Sequence, residues 1–458
     1  MSGPVLLFVI LIEGFITISA EILTIRQLLP FVGNSVVVTS LIIGVFLLFL
    51  AYGYRKGGTY QKDYIPILKK NFIASAFCLG IGLSFAFIQF FFNSFDRYIS
   101  HEVLIALAAY LLLITAPLVY ILGQTVPITM NLIKTAKSTG EVGGKILHLS
   151  TVGSFLGAVL TSLLLMNYLG VAWTVFINFC LLTILTLVLF SKGTRDFIGL
   201  VILATGLCGV YIINIKMEKV VFVKTNAYAN YVVYNDDQNV KRLQVNNSLS
   251  SLLTNDNRGF PYIEFIKRIL FDELQLSGKD ILVLGAGGFT LSAENTYGNH
   301  FTYIDIDKDI EEVVKKHFLK NIKGEFIDSD ARSYLSSAEK KFDVIVSDVY
   351  SNRRTIPAHL ITQEYFLEVK QVLNAGGLAV FNIIARHDLN DPYSARIDNT
   401  LRSVFKACTA SPVNFSNEFS NIIYVCKDTV IPSSDRDGIY RDDLNRSTLD
   451  FFNSKLNS

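Results

Sequence analysis

Residues 280–289 read Asp-Ile-Leu-Val-Leu-Gly-Ala-Gly-Gly-Phe (DILVLGAGGF), a short apolar run that ends in a glycine-rich turn. Four consecutive apolar residues bounded by turn signals predict a strand buried on both faces. Glycines straight after such a strand let the backbone turn tightly into a helix and lie close to a ligand. Downstream, the pattern repeats. HFTYIDID (300–307) is a second strand ending in acids, and DIEEVVKKHF (309–318) an amphipathic helix. GEFIDSDARSYL (324–335) is a short strand with an acidic end, then a helix. FDVIVSDVY (342–350), QEYFLEVKQVL (363–373) and GGLAVFNII (376–384) read as strand, helix and strand. Strands alternating with helices predict a parallel sheet with crossover connections.

In such sheets ligands sit beyond the carboxyl ends of the strands. Gly285, Gly287 and Gly288 follow the first strand, Asp305 and Asp307 end the second, Asp330 the third and Asp348 the fourth. A carboxylate about 20 residues after the turn can accept both ribose hydroxyl protons. Together these positions predict a nucleoside site. Taken singly, each acid is also explained as a solvated strand end or a helix N-cap, and Asp330 before ARSYL fits a cap. A dinucleotide is the competing ligand, but GAGGF lacks the third glycine of G-x-G-x-x-G, Ala293 being too far on. Further upstream, VVFVKTNAYANYVVYN (220–235) and VKRLQVNNSLSSLL (240–253) alternate as short strands, and a helix follows over roughly 260–274.

The other half of the chain has a different composition. Leu, Ile, Val, Phe and Gly dominate residues 1–215, which hold most of the 34 Phe. A bilayer core of roughly 30 Å needs about 20 apolar residues per helix. Seven such segments lie near 4–28, 36–54, 71–92, 103–123, 146–167, 171–191 and 197–214. The first is too long, and carries too many ionisable residues, for a simple cleavable signal. Small residues such as Gly153, Gly157 and Ala158 predict close helix packing in lipid. Either this half is an anchor only, or Glu13, Glu21, Arg26 and His148 give it a further role, since ionisable groups at membrane depth are costly. Glu21 and Arg26 are also explained by a place near the interface.

Positive charge gathers in alternate loops: Arg55, Lys56, Lys62, Lys69 and Lys70; then Lys134, Lys137 and Lys145; then Lys192 and Arg195. The positive-inside rule puts these loops and the N-terminus in the cytoplasm. Seven spans then leave the soluble half outside, whereas a nucleoside-cofactor enzyme is expected inside; the side stays open at this point. Net charge is +2 and no basic run argues for nucleic acid. The five cysteines are scattered without CxxC spacing, so neither a zinc site nor a disulfide framework is expected.

The expected architecture is a multi-pass α-helical membrane bundle (1–215), a small β domain with a helix (216–275) and an α/β Rossmann-like, methyltransferase-type domain (276–458). The soluble half resembles the spermidine synthase (polyamine aminopropyltransferase) family over roughly 220–385. AYANYVVY (227–234) is similar to the family's opening strand, and RLQVNNSLSS (242–251) to its strand with a Leu-Asp-Gly turn. GFPYIEFIKRIL (259–270) resembles its Tyr-His-Glu helix, with Tyr262 and Glu264 matching and Ile263 in the His position. LVLGAGGFTL, YIDID and DSDARSYL resemble the glycine turn, the Glu-x-Asp strand and the adenine-binding Asp-Ala, here Asp330-Ala331. FDVIVSDVY resembles the strand bearing the catalytic Asp, here Asp348, and IPAHLITQEYF (356–366) the segment after it. EGFITISAEILTIRQLLPFVGNS (13–35) and HLSTVGSFLGAVLTSLLL (148–165) are similar to the helical part of membrane-fused members.

The resemblance implies transfer of an aminopropyl group from decarboxylated S-adenosylmethionine to an amine such as putrescine. It implies Asp348 as the base, cofactor contacts from Gly285, Gly287, Gly288, Asp305, Asp307, Asp330 and Ala331, acceptor contacts from Tyr262, Glu264 and Tyr350, and no metal. The acceptor positions depart from the family pattern. The second Asp after the catalytic strand is Ser351, Tyr-Gln is Tyr228-Ala229, a further Gln is Ser250, and the Leu-Asp-Gly turn is Val245-Asn246-Asn247. An S-adenosylmethionine-dependent transferase or methyltransferase acting on a membrane-associated substrate is therefore an alternative. So is a transporter or sensor that binds a polyamine or nucleoside without turnover. Arg353, Arg354 and His359 either favour an anionic acceptor or form a solvated loop. Expected partners are the lipid bilayer, a small amine or membrane-associated acceptor, and a further copy of the chain, but no nucleic acid.

Overall fold

The computed structural model describes residues 3–33, 36–133, 139–191, 193–350, 356–415, 419–427 and 438–456. Lys134, Lys137, Lys192, Ser351, Asn352, Arg353 and Arg354 lie outside the described residues. The chain divides into two compact units, Met1–Ala229 and Asn230–Ser458.

Among the described residues of the first unit, seven helices are long and apolar enough to cross a membrane: α1 (Gly3–Val32), α2 (Val36–Gly58), α3 (Tyr64–Gly82), α5 (Val103–Leu132), α6 (Gly140–Leu169), α7 (Val171–Val188) and α8 (Asp196–Val221). Between α3 and α5 lies a shorter helix, α4 (Phe85–Tyr98). The segment expected over 71–92 is thus two elements. Ser84 breaks it: its Oγ accepts the Phe87 N–H at 3.3 Å, an N-cap that starts a new helix. Hydropathy cannot register such a break inside an apolar run.

Glycines bring α1 and α6 together. A Cβ on Gly14 would meet the Ser150 carbonyl, and one on Gly157 the Phe15 carbonyl. Of the ionisable residues, Glu13 is buried and its Oε1 accepts from Thr17 Oγ1 at 2.8 Å. Arg26 is buried and donates from Nε and Nη2 to the Asn226 carbonyl at 3.0 and 2.8 Å. Glu21 is half-buried, and His148 is exposed on the outside of the bundle.

In the second unit, β1 (Asn230–Asn235), β2 (Lys241–Val245) and β3 (Ser248–Leu253) pair antiparallel. Helix α9 (Pro261–Lys267) leads to the main sheet. Its parallel strands are β4 (Asp280–Leu284), β5 (His300–Asp305), β6 (Glu325–Asp328), β7 (Phe342–Ser347) and β8 (Leu373–Ala385). Strands β9 (Ala407–Pro412) and β10 (Ser420–Lys427) complete it, β10 alone running antiparallel to its neighbours on both sides. The spatial order is β9-β10-β8-β7-β4-β5-β6, the Rossmann-like, methyltransferase-type arrangement. Strand β4 pairs with β5 on one side and β7 on the other, so the direction of winding reverses at β4. A crevice opens at such a reversal, beyond the strand ends. One apolar cluster, including Leu282, Leu284, Ile345, Phe366, Phe381 and Tyr424, forms the core on one face of the sheet.

The cysteine expectation is corrected here. Cys408 and Cys426 are disulfide-bonded. They stand opposite each other in the β9–β10 register, which places two residues 18 apart in sequence side by side. Spacing alone does not reveal a cross-strand pair.

Candidate active site at the carboxyl ends of β4, β5 and β7

The glycine turn is built by its neighbours. Gly285 has φ +88°, and a Cβ there would collide with the Asp348 carbonyl oxygen. That position therefore requires glycine on both conformational and steric grounds. The Gly285 N–H donates to the Ile304 carbonyl of β5, and the Asp348 N–H to the Leu284 carbonyl, each at 2.9 Å. The turn is thus stitched to both flanking strand ends. Gly287 has φ +48°, and the Gly288 N–H donates to Ser251 Oγ of β3 at 2.7 Å. Ser251, not its neighbour Ser250, supplies that bond.

Asp305 ends β5 beside the turn. Its Oδ2 accepts the Ala286 N–H at 3.0 Å and its Oδ1 the Asp307 N–H at 3.1 Å. Burial pushes its carboxyl up to about 6, against the lowering effect of those two backbone donors. Asp307 is buried and accepts from Tyr231 Oη at 2.6 Å and from the Asp309 N–H at 3.0 Å. It thereby ties β1 to the start of α10 (Asp309–Val313). Asp330 caps helix α11 (Ala331–Ser337), its Oδ1 accepting the Ser333 N–H at 3.0 Å, and Ala331 is buried behind it.

Asp348 lies one residue past β7, half-buried, with each carboxylate oxygen held by one donor. Tyr262 Oη of α9 donates to Oδ2 at 2.8 Å, and Asn382 Nδ2 of β8 to Oδ1 at 2.8 Å. Asn382 is buried, and its own Oδ1 accepts from Asn421 Nδ2 of β10 at 2.8 Å. Tyr350 locks the same stretch of β8: its hydroxyl donates to the Asn382 carbonyl and accepts the Ile384 N–H, both at 2.8 Å. Desolvation raises the Asp348 carboxyl above its ordinary value, while the Asn382 and Tyr262 bonds pull it down. Desolvation and then the Asp348 charge raise the Tyr262 hydroxyl, so it stays a proton donor to the carboxylate. A half-buried carboxylate fixed at both oxygens is suited to accept a proton from a substrate held in line.

The structure thus brings together Gly285, Gly287, Gly288, Asp305, Tyr262, Asp348 and Tyr350 around the β4 reversal. Glu264 is committed elsewhere: it accepts the Gly259 N–H at 2.7 Å and pairs with Lys267 at 2.9 Å, which also holds Glu294 at 3.0 Å. His359 is exposed. Asn382 is the participant that the sequence reading missed. Its signal is a lone amide inside the apolar run LAVFNII, one strand over from Asp348. Among the described residues no group of His, Cys, Asp and Glu is placed to hold a metal ion.

Residues 261–435 match the spermine/spermidine synthase domain. A polyamine aminopropyltransferase of Vibrio vulnificus is 31% identical over 155 residues, covering 32% of this chain and 49% of that one. A polyamine aminopropyltransferase of Leptospira interrogans is 22% identical over 391 residues, covering 75% of this chain and 71% of that one. The crystal structure of a probable spermidine synthase from Corynebacterium glutamicum aligns with 46% of this chain and 81% of its own, at 21% identity and a TM-score of 0.38. The chain spans about half the length of several of the curated relatives that it matches.

Proposed function

We propose that the chain is a membrane-embedded aminopropyltransferase, a reading supported by the match of residues 261–435 to the spermine/spermidine synthase domain. Its donor is decarboxylated S-adenosylmethionine and its acceptor an amine such as putrescine. The observation that carries this proposal is Asp348, held by Tyr262 and Asn382 next to the glycine turn and Asp305. The acceptor amine arrives as an ammonium, since its pKa is near that of lysine, about 10.4. Asp348 takes one proton from it. The freed nitrogen lone pair attacks the aminopropyl carbon bonded to sulfur. The new N–C bond forms as the C–S bond breaks, and that electron pair returns to sulfur, leaving neutral methylthioadenosine. The product keeps its remaining protons as a secondary ammonium, and Asp348 passes the proton it took to water, which restores the carboxylate.

Asp305 holds the ribose hydroxyls, while Gly285, Gly287 and Gly288 let the backbone lie against the nucleoside. Asp330 and Ala331 border the adenine, and Asp307 positions Asp305 through its N–H. Tyr262 and Tyr350 shape the acceptor side around Asp348. The helices α1 to α3 and α5 to α8 hold the enzyme in the cell membrane.

One observation favours a different acceptor. Glu264, an acid of the expected acceptor set, is neutralised by Lys267. A site with fewer free carboxylates binds a polycation less tightly and suits a transferase using S-adenosylmethionine itself. The two readings separate on incubating detergent-solubilised protein with decarboxylated S-adenosylmethionine plus putrescine, and in parallel with S-adenosylmethionine plus amines. Spermidine and methylthioadenosine from the first mixture alone support the aminopropyltransferase. S-adenosylhomocysteine from the second supports a methyltransferase, and tight binding without product rejects both.

A further inference from the structure

The two ends of the helical unit carry different chemistry. At one end Lys69 Nζ meets Asp196 at 2.7 Å, with both side chains largely buried, and lies over the Phe190 ring. The α2–α3 connection and the start of α8 therefore share that end. It also holds Arg55 and Lys56 in the last turn of α2, with Lys56 over Tyr60. The same end holds Lys62 in the α2–α3 connection, and Lys69 and Lys70 near the start of α3.

The chain leaves the bundle at the opposite end. Arg26, near the far end of α1, donates to the Asn226 carbonyl. Phe222 packs edge-on against Phe85, one residue past the Ser84 break, with ring centres 4.6 Å apart. Glu218 Oε2 accepts the Ala172 N–H at 3.1 Å, and Gly170, between α6 and α7, lies against Thr225 Oγ1. The connections at this end, α1–α2, α4–α5 and α6–α7, contain no Lys or Arg; Arg97 stands in the last turn of α4, and Lys216, Lys219 and Lys224 stand at the foot of α8 and just beyond it. Lys and Arg in short loops are retained on the cytoplasmic side. The exit at 222–226 is therefore extracytoplasmic.

The cysteines give a second, independent indication. The pair in the soluble unit, Cys408 and Cys426, is disulfide-bonded, while Cys78, Cys180 and Cys208 of the helical unit are free. Structural disulfides persist in oxidising compartments and are rare in the cytosol.

We infer that the soluble unit works on the extracytoplasmic side of the membrane, with Cys408–Cys426 oxidised there. This rests on the membrane embedding proposed above but not on the choice of substrate. Formation of the bond sends two electrons and two protons to an oxidised dithiol of that compartment, which becomes the reduced pair. For the reaction there is one consequence. A sulfonium nucleoside carries a fixed charge and does not cross hydrocarbon unaided. A translocation step must deliver it to that face before transfer occurs.

The test uses the full chain in a bacterial inner membrane, with Cys78, Cys180 and Cys208 replaced by Ser. Thr59→Cys reports the basic end and Gln238→Cys an exposed turn of the soluble unit. A membrane-impermeant maleimide should label Gln238→Cys in intact spheroplasts and Thr59→Cys only after lysis. In samples denatured to expose the buried Cys426, Cys408 and Cys426 should take up maleimide only after a reductant is added. The reverse labelling order overturns the sidedness, and alkylation of Cys408 and Cys426 without reductant overturns the oxidised state. Release of the chain from membranes by alkaline carbonate overturns the embedding itself, a result distinct from the other two.

Discussion

Replacing Tyr262 by Phe removes one hydrogen-bond donor from Asp348 and leaves the ring, which stacks on Phe260 with centres 5.8 Å apart. A hydrogen bond to a charged group contributes about 1.5–3 kcal/mol. One pKa unit corresponds to about 1.4 kcal/mol, so losing the donor should raise the Asp348 carboxyl by about 1–2 units. Burial already holds this group above its ordinary value, and the Tyr262 bond works against that. The sign follows from the role: the base must be ionised, so turnover is lost as pH falls through the carboxyl's pKa. In Tyr262→Phe that loss should begin about 1–2 units higher, with a rate about 10- to 100-fold below wild type on the acidic limb and close to it on the alkaline plateau. Initial rates of methylthioadenosine release at saturating donor, measured across pH, read this directly. A pH profile that keeps its wild-type midpoint while the rate drops uniformly would refute the reasoning, because Tyr262 would then position substrate without tuning Asp348.

Three further outcomes follow from the same geometry. Asp305 has a carboxyl pushed up to about 6, and the ribose contact proposed for it needs the ionised form, so nucleoside affinity should fall about tenfold per pH unit below that value; calorimetric titration should show this slope in wild type and not in Asp305→Asn. Gly285→Ala must adopt φ +88° and meet the Asp348 carbonyl. The left-handed cost alone is about 1–2 kcal/mol, or about 2–8 °C in melting temperature for a unit of this size, and a melt unchanged from wild type would contradict it. Asp330→Ala removes the α11 cap, which should cost about 1 kcal/mol in denaturant unfolding; an unchanged nucleoside affinity would confine Asp330 to capping.

Much of the soluble unit is legible in the sequence because parallel strands buried on both faces are continuous apolar runs, and their ends are marked by glycine and acids. Gly285, Asp305 and Asp348 fall at the ends of β4, β5 and β7, as the apolar runs before them predict. Asp330 is less decided, since an Asp three residues before Ser333 makes the same local cap whether or not a ligand is near. The hairpin β9–β10 and its disulfide escape because antiparallel pairing is set by register across the sheet, not by local pattern. Asn382 escapes for a related reason. Its partner Asp348 is 34 positions away and becomes a neighbour only through the β7–β8 pairing. Glu264 is legible as a position of the family that the chain resembles, but its chemistry depends on Lys267 three residues on, one turn along the same helix. In the helical unit, hydropathy reveals how many apolar segments there are but not where Ser84 divides one of them.

The central claim is that Asp348 is the base of a transfer reaction in a site whose nucleoside contacts come from other residues. The most direct measurement sets turnover against nucleoside affinity in Asp348→Asn. The amide keeps the shape of the side chain and its place beside Asn382 and Tyr262 but cannot take a proton at neutral pH. With decarboxylated S-adenosylmethionine and putrescine, methylthioadenosine release should fall by about 100-fold or more, the scale on which general bases contribute. Methylthioadenosine affinity should stay within about threefold of wild type, a change of under about 1 kcal/mol. Turnover that survives in Asp348→Asn, or a loss of nucleoside affinity that accounts for the whole effect, would contradict the assignment.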